Sequence, residues 1–243
     1  MLKGIHTSAS GMIPRARKQE LIANNIANVA SPGYKKDMMF TKELSRAEQK
    51  RTPTKSSWEK PMVDQVYTDY SSGTFNHTGN PLNIAIDGDG FFQLQDDQGN
   101  IYLTRSGNFT VDNQGFMAFP GGYRLIGEGG PVQVGEGKVT IDPSGEVSVD
   151  GFSTDRIVPV DVPDQSALEK LGGALFGVPP GQELIPPLRA ELQQGYLEAA
   201  NVDVVGEMVD MIITYREYEA NARSLQSQDQ SLDHLFRRVA GNE

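Results

Sequence analysis

The sequence predicts an α+β protein in which a long helix at each end pairs with the other as a coiled coil, and an antiparallel, β-rich region lies between them. Three observations predict this. An apolar stripe with a spacing of about 3.5 residues runs along the C-terminal end, a second stripe of the same rhythm runs along the N-terminal end, and between them the apolar period falls to two.

The C-terminal stripe is the longer. Alternating steps of four and three from Val204 give Val204, Met208, Met211, Tyr215, Tyr218, Ala222, Leu225, Asp229, Leu232, Phe236 and Val239, and only Asp229 is polar. No Pro or Gly interrupts the run after Gly206, Gly241 lies just past its end, and Asn201 is the expected N-cap. A helix over 204–239 is about 54 Å long at 1.5 Å per residue. A compact sphere of this chain length is about 45 Å across, so the stripe needs a partner.

At the other end, Leu2, Ile5, Ala9, Met12, Ala16, Gln19, Ala23 and Ile26 keep the same rhythm within a helix expected over 2–29. Ala9, Ala16 and Ala23 recur every seventh residue, and small side chains at a seam allow a second backbone to approach closely. Pro14 lacks an N–H and crowds the carbonyl of Ser10, so a bend is expected there, or a second helix that begins at Pro14. Asn24, Asn25 and Asn28 are costly inside a helix, but near its end their amides tie the last carbonyls to the following turn. In that turn, Pro32 then Gly33 fits the two central positions of a type II turn.

The domain boundaries follow from these breaks. Residues 1–35 carry the N-terminal helix, and 36–62 form a lysine-rich linker or extended arm with a short helix around 42–49. Trp58, the only tryptophan, is a candidate anchor for that arm. Residues 63–180 form the β-rich domain, 181–200 a Pro-stiffened return linker, and 201–243 the C-terminal helix. In the β region, Ile84 with Ile86, Phe92 with Leu94, Tyr102 with Thr104, Phe109 with Val111, Val139 with Ile141 and Val147 with Val149 alternate as strands do. Asp96-Asp97-Gln98-Gly99, Asp112-Asn113-Gln114-Gly115 and Asp142-Pro143-Ser144-Gly145 repeat one turn unit. In it the Asp carboxylate caps the turn and the Gly takes the left-handed conformation. Three such turns between short alternating strands indicate a hairpin-rich antiparallel sheet or small barrel. Asp164 is expected to cap a short helix reaching Leu171.

Composition narrows the function classes. The 243 residues contain no cysteine, which excludes disulfides, thiolate metal sites and cysteine nucleophiles. A net charge of −10 argues against sequence-independent nucleic-acid binding. The charge is uneven: residues 1–60 carry +7 and the rest −17, an asymmetry that favours head-to-tail contact between copies. No apolar run reaches the 18 or so residues of a membrane span, so no direct membrane insertion is expected, and the first residues do not read as a cleaved secretory signal. Asp87-Gly88-Asp89-Gly90 lacks the remaining ligand frame of a calcium loop, the loop 127–130 lacks the Lys-Ser/Thr of a phosphate cradle, and His6, His77 and His234 are far apart. No nucleophile, base and oxyanion donors can be named together. No catalytic, cofactor-binding or metal site is expected, and the chain reads as something other than an enzyme.

Several segments also match a known family. Ala23-Asn24-Asn25-Ile26-Ala27-Asn28-Val29, closed by Ser31-Pro32-Gly33-Tyr34-Lys35, resembles the N-terminal signature of bacterial flagellar rod and hook proteins. Residues 80–92, with Asn80-Pro81-Leu82-Asn83-Ile84 and Asp87-Gly88-Asp89-Gly90-Phe91-Phe92, look like its central signature, as does Leu103-Thr104-Arg105-Ser106-Gly107-Asn108-Phe109. Gln194-Gly195-Tyr196-Leu197-Glu198, Asn201-Val202-Asp203 and Arg216-Glu217-Tyr218-Glu219-Ala220-Asn221 resemble its C-terminal signature.

The resemblance implies a discontinuous helical domain built from both termini, with the β domain inserted. It also implies a structural role: copies stacked helically into the axial rod of the basal body, a drive shaft passing torque towards the hook. Its partners would be copies of itself, other rod and hook-family proteins, and the flagellar type III export apparatus, which needs no cleaved signal and delivers to the periplasmic rod. The run 201–205 and the tail 226–239 fit a distal rod subunit, whereas the length fits a proximal one. The expected assembly interface is Ile5, Ala9, Met12, Ala16, Ala23, Asn24, Asn25, Ile26 and Asn28 with Val204, Met208, Met211, Tyr215, Tyr218, Ala222, Leu225, Leu232 and Phe236. A soluble coiled-coil adaptor that closes as a small oligomer is the competing reading.

Overall fold

A computed structural model describes residues 2–42 and 62–240. The helix expected around 42–49 lies outside these residues except for Lys42, which ends a strand, and the anchoring role of Trp58 and the side chains of Ile5, Leu232 and Phe236 also fall outside them. The described chain is α+β. It holds two helices, α1 (Leu2–Ala27) and α2 (Val204–Ala240), and its strand pairings are antiparallel. Two compact units emerge, each discontinuous in sequence.

One unit draws its described residues from Met1–Ala27, Asp37–Thr68 and Asp203–Glu243. It contains α1, α2 and a two-stranded ribbon of β1 (Asp37–Lys42) and β2 (Met62–Thr68). α1 is one helix running through Pro14, so the expected second helix starting at Pro14 is not found. Packing along α2 holds the segment in line, and the Arg15 guanidinium donates to Gly11 O (2.9 Å) in the turn that Pro14 loosens. The cap of α2 is also corrected. Asp203 caps it, accepting Val205 N at Oδ1 (3.1 Å), while Asn201 lies upstream with other partners.

The other unit comprises Asn28–Lys36 and Asp69–Val202. Its strands begin with β3 (Phe75–His77), β4 (Ile84–Gly88), β5 (Phe92–Gln95), β6 (Ile101–Thr104), β7 (Thr110–Val111), β8 (Met117–Phe119), β9 (Tyr123–Gly127) and β10 (Gly130–Pro131). They continue with β11 (Val139–Ile141), β12 (Glu146–Val149), β13 (Phe152–Arg156), β14 (Glu169–Gly172), β15 (Leu175–Gly177), β16 (Ala190–Gln194) and β17 (Tyr196–Glu198). The main sheet runs β14-β15-β6-β5-β9-β8-β7, with β10 beside β9. β11-β12-β13 form a second sheet, and the pairs β16-β4 and β17-β3 bring the two ends of the unit together.

All three Asp-x-x-Gly turns form as expected. Asp96, Asp112 and Asp142 each accept two backbone N–H groups at Oδ1, and Gly99, Gly115 and Gly145 have φ of 88°, 85° and 89°. Ile84, Ile86, Phe92, Leu94, Phe109, Leu125 and Val147 fill one core, with Leu192 from β16 sealing it. Phe91, Leu103 and Phe176 form a second, smaller core.

Two expectations change. Residues 190–194 and 196–198, expected within a return linker, are strands, because β4, buried over Ile84, Ala85 and Ile86, has backbone groups that need a pairing partner and β16 supplies it. Asp164 does cap a turn, accepting Ser166 N, but the turn is a 3-10 segment ending at Ala167. The following residues pair as β14 onto β15, because a sheet edge next to β6 outweighs helix propensity there.

Candidate functional site

In the unit built from the chain ends, α1 and α2 run antiparallel. Their contacts descend from Asn25 and Glu207, through Lys18 and Asp210 (3.7 Å) and Arg15 and Glu217 (3.0 Å), to Gly11, where a Cβ would lie 3.5 Å from Asn221 Nδ2. Asn25 is buried. Its Oδ1 accepts Asp37 N and its Nδ2 donates to Asp37 O, both at 3.0 Å, so one amide side chain stands in for a strand partner at the first residue of β1. Thr68 Oγ1 donates to Asp37 Oδ1 (2.8 Å), fixing the far end of β2 to the same point.

The helix face turned inward differs from the stripe expected from sequence. Val204, Met211, Tyr218, Ala222 and Leu225 are half-buried, and the buried residue between them is Thr214 (1% exposed), with Glu207 and Asn221 half-buried on the same side. Met208 and Tyr215 are at least half exposed. On α1, Ala9, Met12, Ala16 and Ile26 are half-buried, as is Asn28 just past its end, Ala23 and Asn24 are exposed, and the buried residues among the described side chains are Pro14, Ile22 and Asn25. Where they depart, both inner faces are displaced by one residue from the apolar stripe, or about 100° around a helix of 3.6 residues per turn. One chain therefore covers a partly polar face of α2 and leaves Val205, Met208, Val209, Ile212, Ile213 and Tyr215 exposed.

In the β unit, the turn after α1 is the expected one. Ser31 O accepts Tyr34 N (3.3 Å) and Gly33 has φ of 67°. The segment then threads into the body. Gly33 N donates to Glu198 O (2.8 Å), and a Cβ on Gly33 would fall 2.4 Å from Ser106 N. Two residues on, Lys35 reaches a buried cluster. Its Nζ donates to Glu198 Oε1 (2.6 Å) and Ser71 O (2.8 Å). Glu198 Oε1 also accepts Gly73 N (2.9 Å), and Glu198 Oε2 accepts Arg105 Nε (2.8 Å). The remaining guanidinium nitrogens of Arg105 donate to the carbonyls of Ile86, Gly88 and Gly90. Asn201 ties neighbouring loop segments together, accepting Lys36 N at Oδ1 (2.7 Å) and donating to Asp69 O (2.8 Å) and Ser71 O (3.1 Å).

Burial pushes the Lys35 ammonium below its ordinary range, against the opposing pull of Glu198. At Asp69 burial acts upward, but hydrogen bonds from Ser71 and the Lys36 charge hold the carboxyl below its usual value. The Asp87–Gly90 loop, superficially like a calcium loop, turns two of its carbonyls onto the Arg105 cation instead. Among the described residues no three His, Cys, Asp or Glu side chains gather as metal ligands, and no helix is long and apolar enough to cross a membrane. The arrangement binds chain segments to one another.

Three family models match in chain order. "Flagella basal body rod protein" covers residues 5–35, "Flagellar hook protein FlgE/F/G D1 domain" covers 85–149, and "Flagellar basal body rod FlgEFG protein C-terminal" covers 193–237. The flagellar basal-body rod protein FlgG of Buchnera aphidicola subsp. Schizaphis graminum is 31% identical over 97% of this chain and 99% of its own length. The chain belongs to the flagellar basal-body rod protein family. FlgG of Bacillus subtilis is 28% identical over 97% of this chain and 98% of its own, and FlgF of Caulobacter vibrioides is 31% identical over 93% of each. The family is structural, not enzymatic.

The rod-family signatures contain the whole buried cluster: Lys35 closes the first, Arg105 lies in the second and Glu198 in the third. Sequence reasoning quoted these residues but gave none of them a role. No local signal pairs a lysine with a glutamate across 163 positions. Glu207, Thr214 and Asn221 were missed for another reason: being polar, they do not register in an apolar repeat.

Proposed function

We propose that copies of this chain stack helically through their terminal helices, paired as a coiled coil, into the axial rod of the flagellar basal body, a drive shaft that passes torque towards the hook. The observation that carries this reading is the exposed apolar band on α2. Val205, Met208, Val209, Ile212, Ile213 and Tyr215 are about half exposed or more, on the side away from the buried Thr214. A contiguous exposed apolar band of this kind marks a surface that packs against a partner. Half-burying six such side chains contributes about 5–9 kcal/mol before ordering costs, at 1.5–3 kcal/mol for each full burial.

The occupant of the band is the terminal-helix pair of a neighbouring copy, and other rod and hook-family proteins continue the shaft at its ends. α1 adds Ile13, also exposed, to the outward surface. The interface comprises the expected stripe residues together with the band. Delivery is through the flagellar type III export apparatus to the periplasmic rod. Nucleic acid and membrane take no part. The test is Met208→Asp and Ile212→Asp in the full chain. Rods are expected to be absent from imaged basal bodies while circular dichroism of the purified variants keeps the β signal. Normal rods from either variant, or a wild-type protein that stops at a closed dimer when concentrated, would overturn the reading.

A further inference from the structure

We infer that the Lys35–Glu198–Arg105 cluster is a completion lock: the β unit closes only once residues 190–198 have arrived, so a chain emerging from its N-terminus stays open until Glu198 is available. The cluster is confined to this unit, and the inference is independent of the assembly proposed above. Lys35 and Arg105 come early and Glu198 comes late in a chain of 243 residues. All three side chains are at most 4% exposed, and Glu198 is the carboxylate that both cations bind. A body closed without it would bury two cations whose remaining partners are carbonyls, which satisfy N–H groups but carry no net charge. Stripping one partner from a buried ion group leaves uncompensated charge in a low dielectric, which opposes closure strongly.

The same short segment supplies three other parts that nothing earlier in the chain replaces. β16 pairs five residues of β4, from Ala190 opposite Gly88 to Gln194 opposite Ile84. Leu192 fills the main core. Glu198 O accepts Gly33 N, so part of the backbone that seats the N-terminal segment is made late. Until then β4 lacks its partner strand, the core has a hole and the cations lack their anion. These deficits fall on the same elements, so they act together on one closing step.

Pulse-labelled hydrogen exchange during refolding of the full chain tests this. Amides of β4, β5 and β6 are expected to become protected in the same kinetic phase as those of β16 and β17. Protection of β4–β6 at least about tenfold faster would overturn the inference. In the native state, Glu198→Gln is expected to lower protection of the β4 and β5 amides by about 100-fold or more. Adding Lys35→Met to Glu198→Gln is expected to restore at least about tenfold of that loss, because it removes a stranded charge. If Glu198→Gln alone does not fold, the double variant is expected to fold. A further loss of protection in the double variant, or its failure to fold, would overturn the charge argument.

Discussion

Lys35 Nζ lies 2.6 Å from Glu198 Oε1, joining two residues 163 positions apart inside a region where each side chain is 1% exposed. The contact closes the β unit on itself, with its first segment held against its last strand.

Arg105 does more in this cluster than Lys35. It binds Glu198 and also the carbonyls of Ile86, Gly88 and Gly90, whereas Lys35 binds Glu198 and one carbonyl. Arg105→Met is therefore expected to destabilise the β unit more than Lys35→Met, by at least about 1 kcal/mol, since each stranded buried acceptor costs about 1–3 kcal/mol. Urea unfolding followed by tyrosine fluorescence checks the order, and equal midpoints would contradict it.

Gly33 sits where a side chain has no room. Its φ of 67° is left-handed, and an added Cβ would lie 2.4 Å from Ser106 N, a backbone atom that cannot swing aside. Gly33→Ala is expected to cost about 2 kcal/mol or more. Gly122→Ala, with φ of 88° but open space around it, is expected to cost clearly less. Thermal denaturation of the two variants separates the effect of crowding from that of backbone strain alone.

Asn25 anchors the ribbon by its two bonds to the Asp37 backbone. Asn25→Leu removes both while keeping the branched four-atom side chain. An expected cost of about 1–3 kcal/mol follows from the two stranded backbone groups. Faster hydrogen exchange at β1 amides, with β5 amides unchanged, is the expected signature.

The turn aspartates make the β unit sensitive to acid. Asp96, Asp112 and Asp142 are held below the ordinary 3.8, chiefly by hydrogen bonds from Asn100, Phe116 N and Ser144 respectively. A carboxyl depressed on folding stabilises the folded form above its unfolded pKa and loses that stabilisation as pH falls through the folded value. Stability is therefore expected to drop below about pH 4. Replacing all three by Asn keeps turn acceptors but removes the titration, so the stability-against-pH curve should flatten in that window. An unchanged acid limb would assign the sensitivity to other groups.

Much of the architecture was legible because its signals are local. Alternation at Ile84 and Ile86 or Val147 and Val149 reads out strands, and Asp with Gly three residues on reads out the turns. β16 was not legible: its neighbours Pro186 and Pro187 resemble a linker, and its pairing with β4 is remote in sequence. Likewise Asn201 has the chemistry of a helix cap, yet its amide is used by Lys36, Asp69 and Ser71, and Asp203 takes the cap.

The sequence by itself determined that both ends are long helices with apolar stripes, that the middle is antiparallel β, and that the segments carrying Asn25, Arg105 and Glu198 are those of flagellar rod and hook proteins. Periodicity and turn chemistry act over a few residues, so they are written in order along the chain. Only the tertiary structure decided which face of α2 meets α1, leaving Met208 and Ile212 outside and Thr214 within, and that Lys35, Arg105 and Glu198 share one buried site. Both are matters of rotation and long-range closure, in which the satisfaction of buried charge and backbone groups selects among arrangements that the local pattern leaves equal.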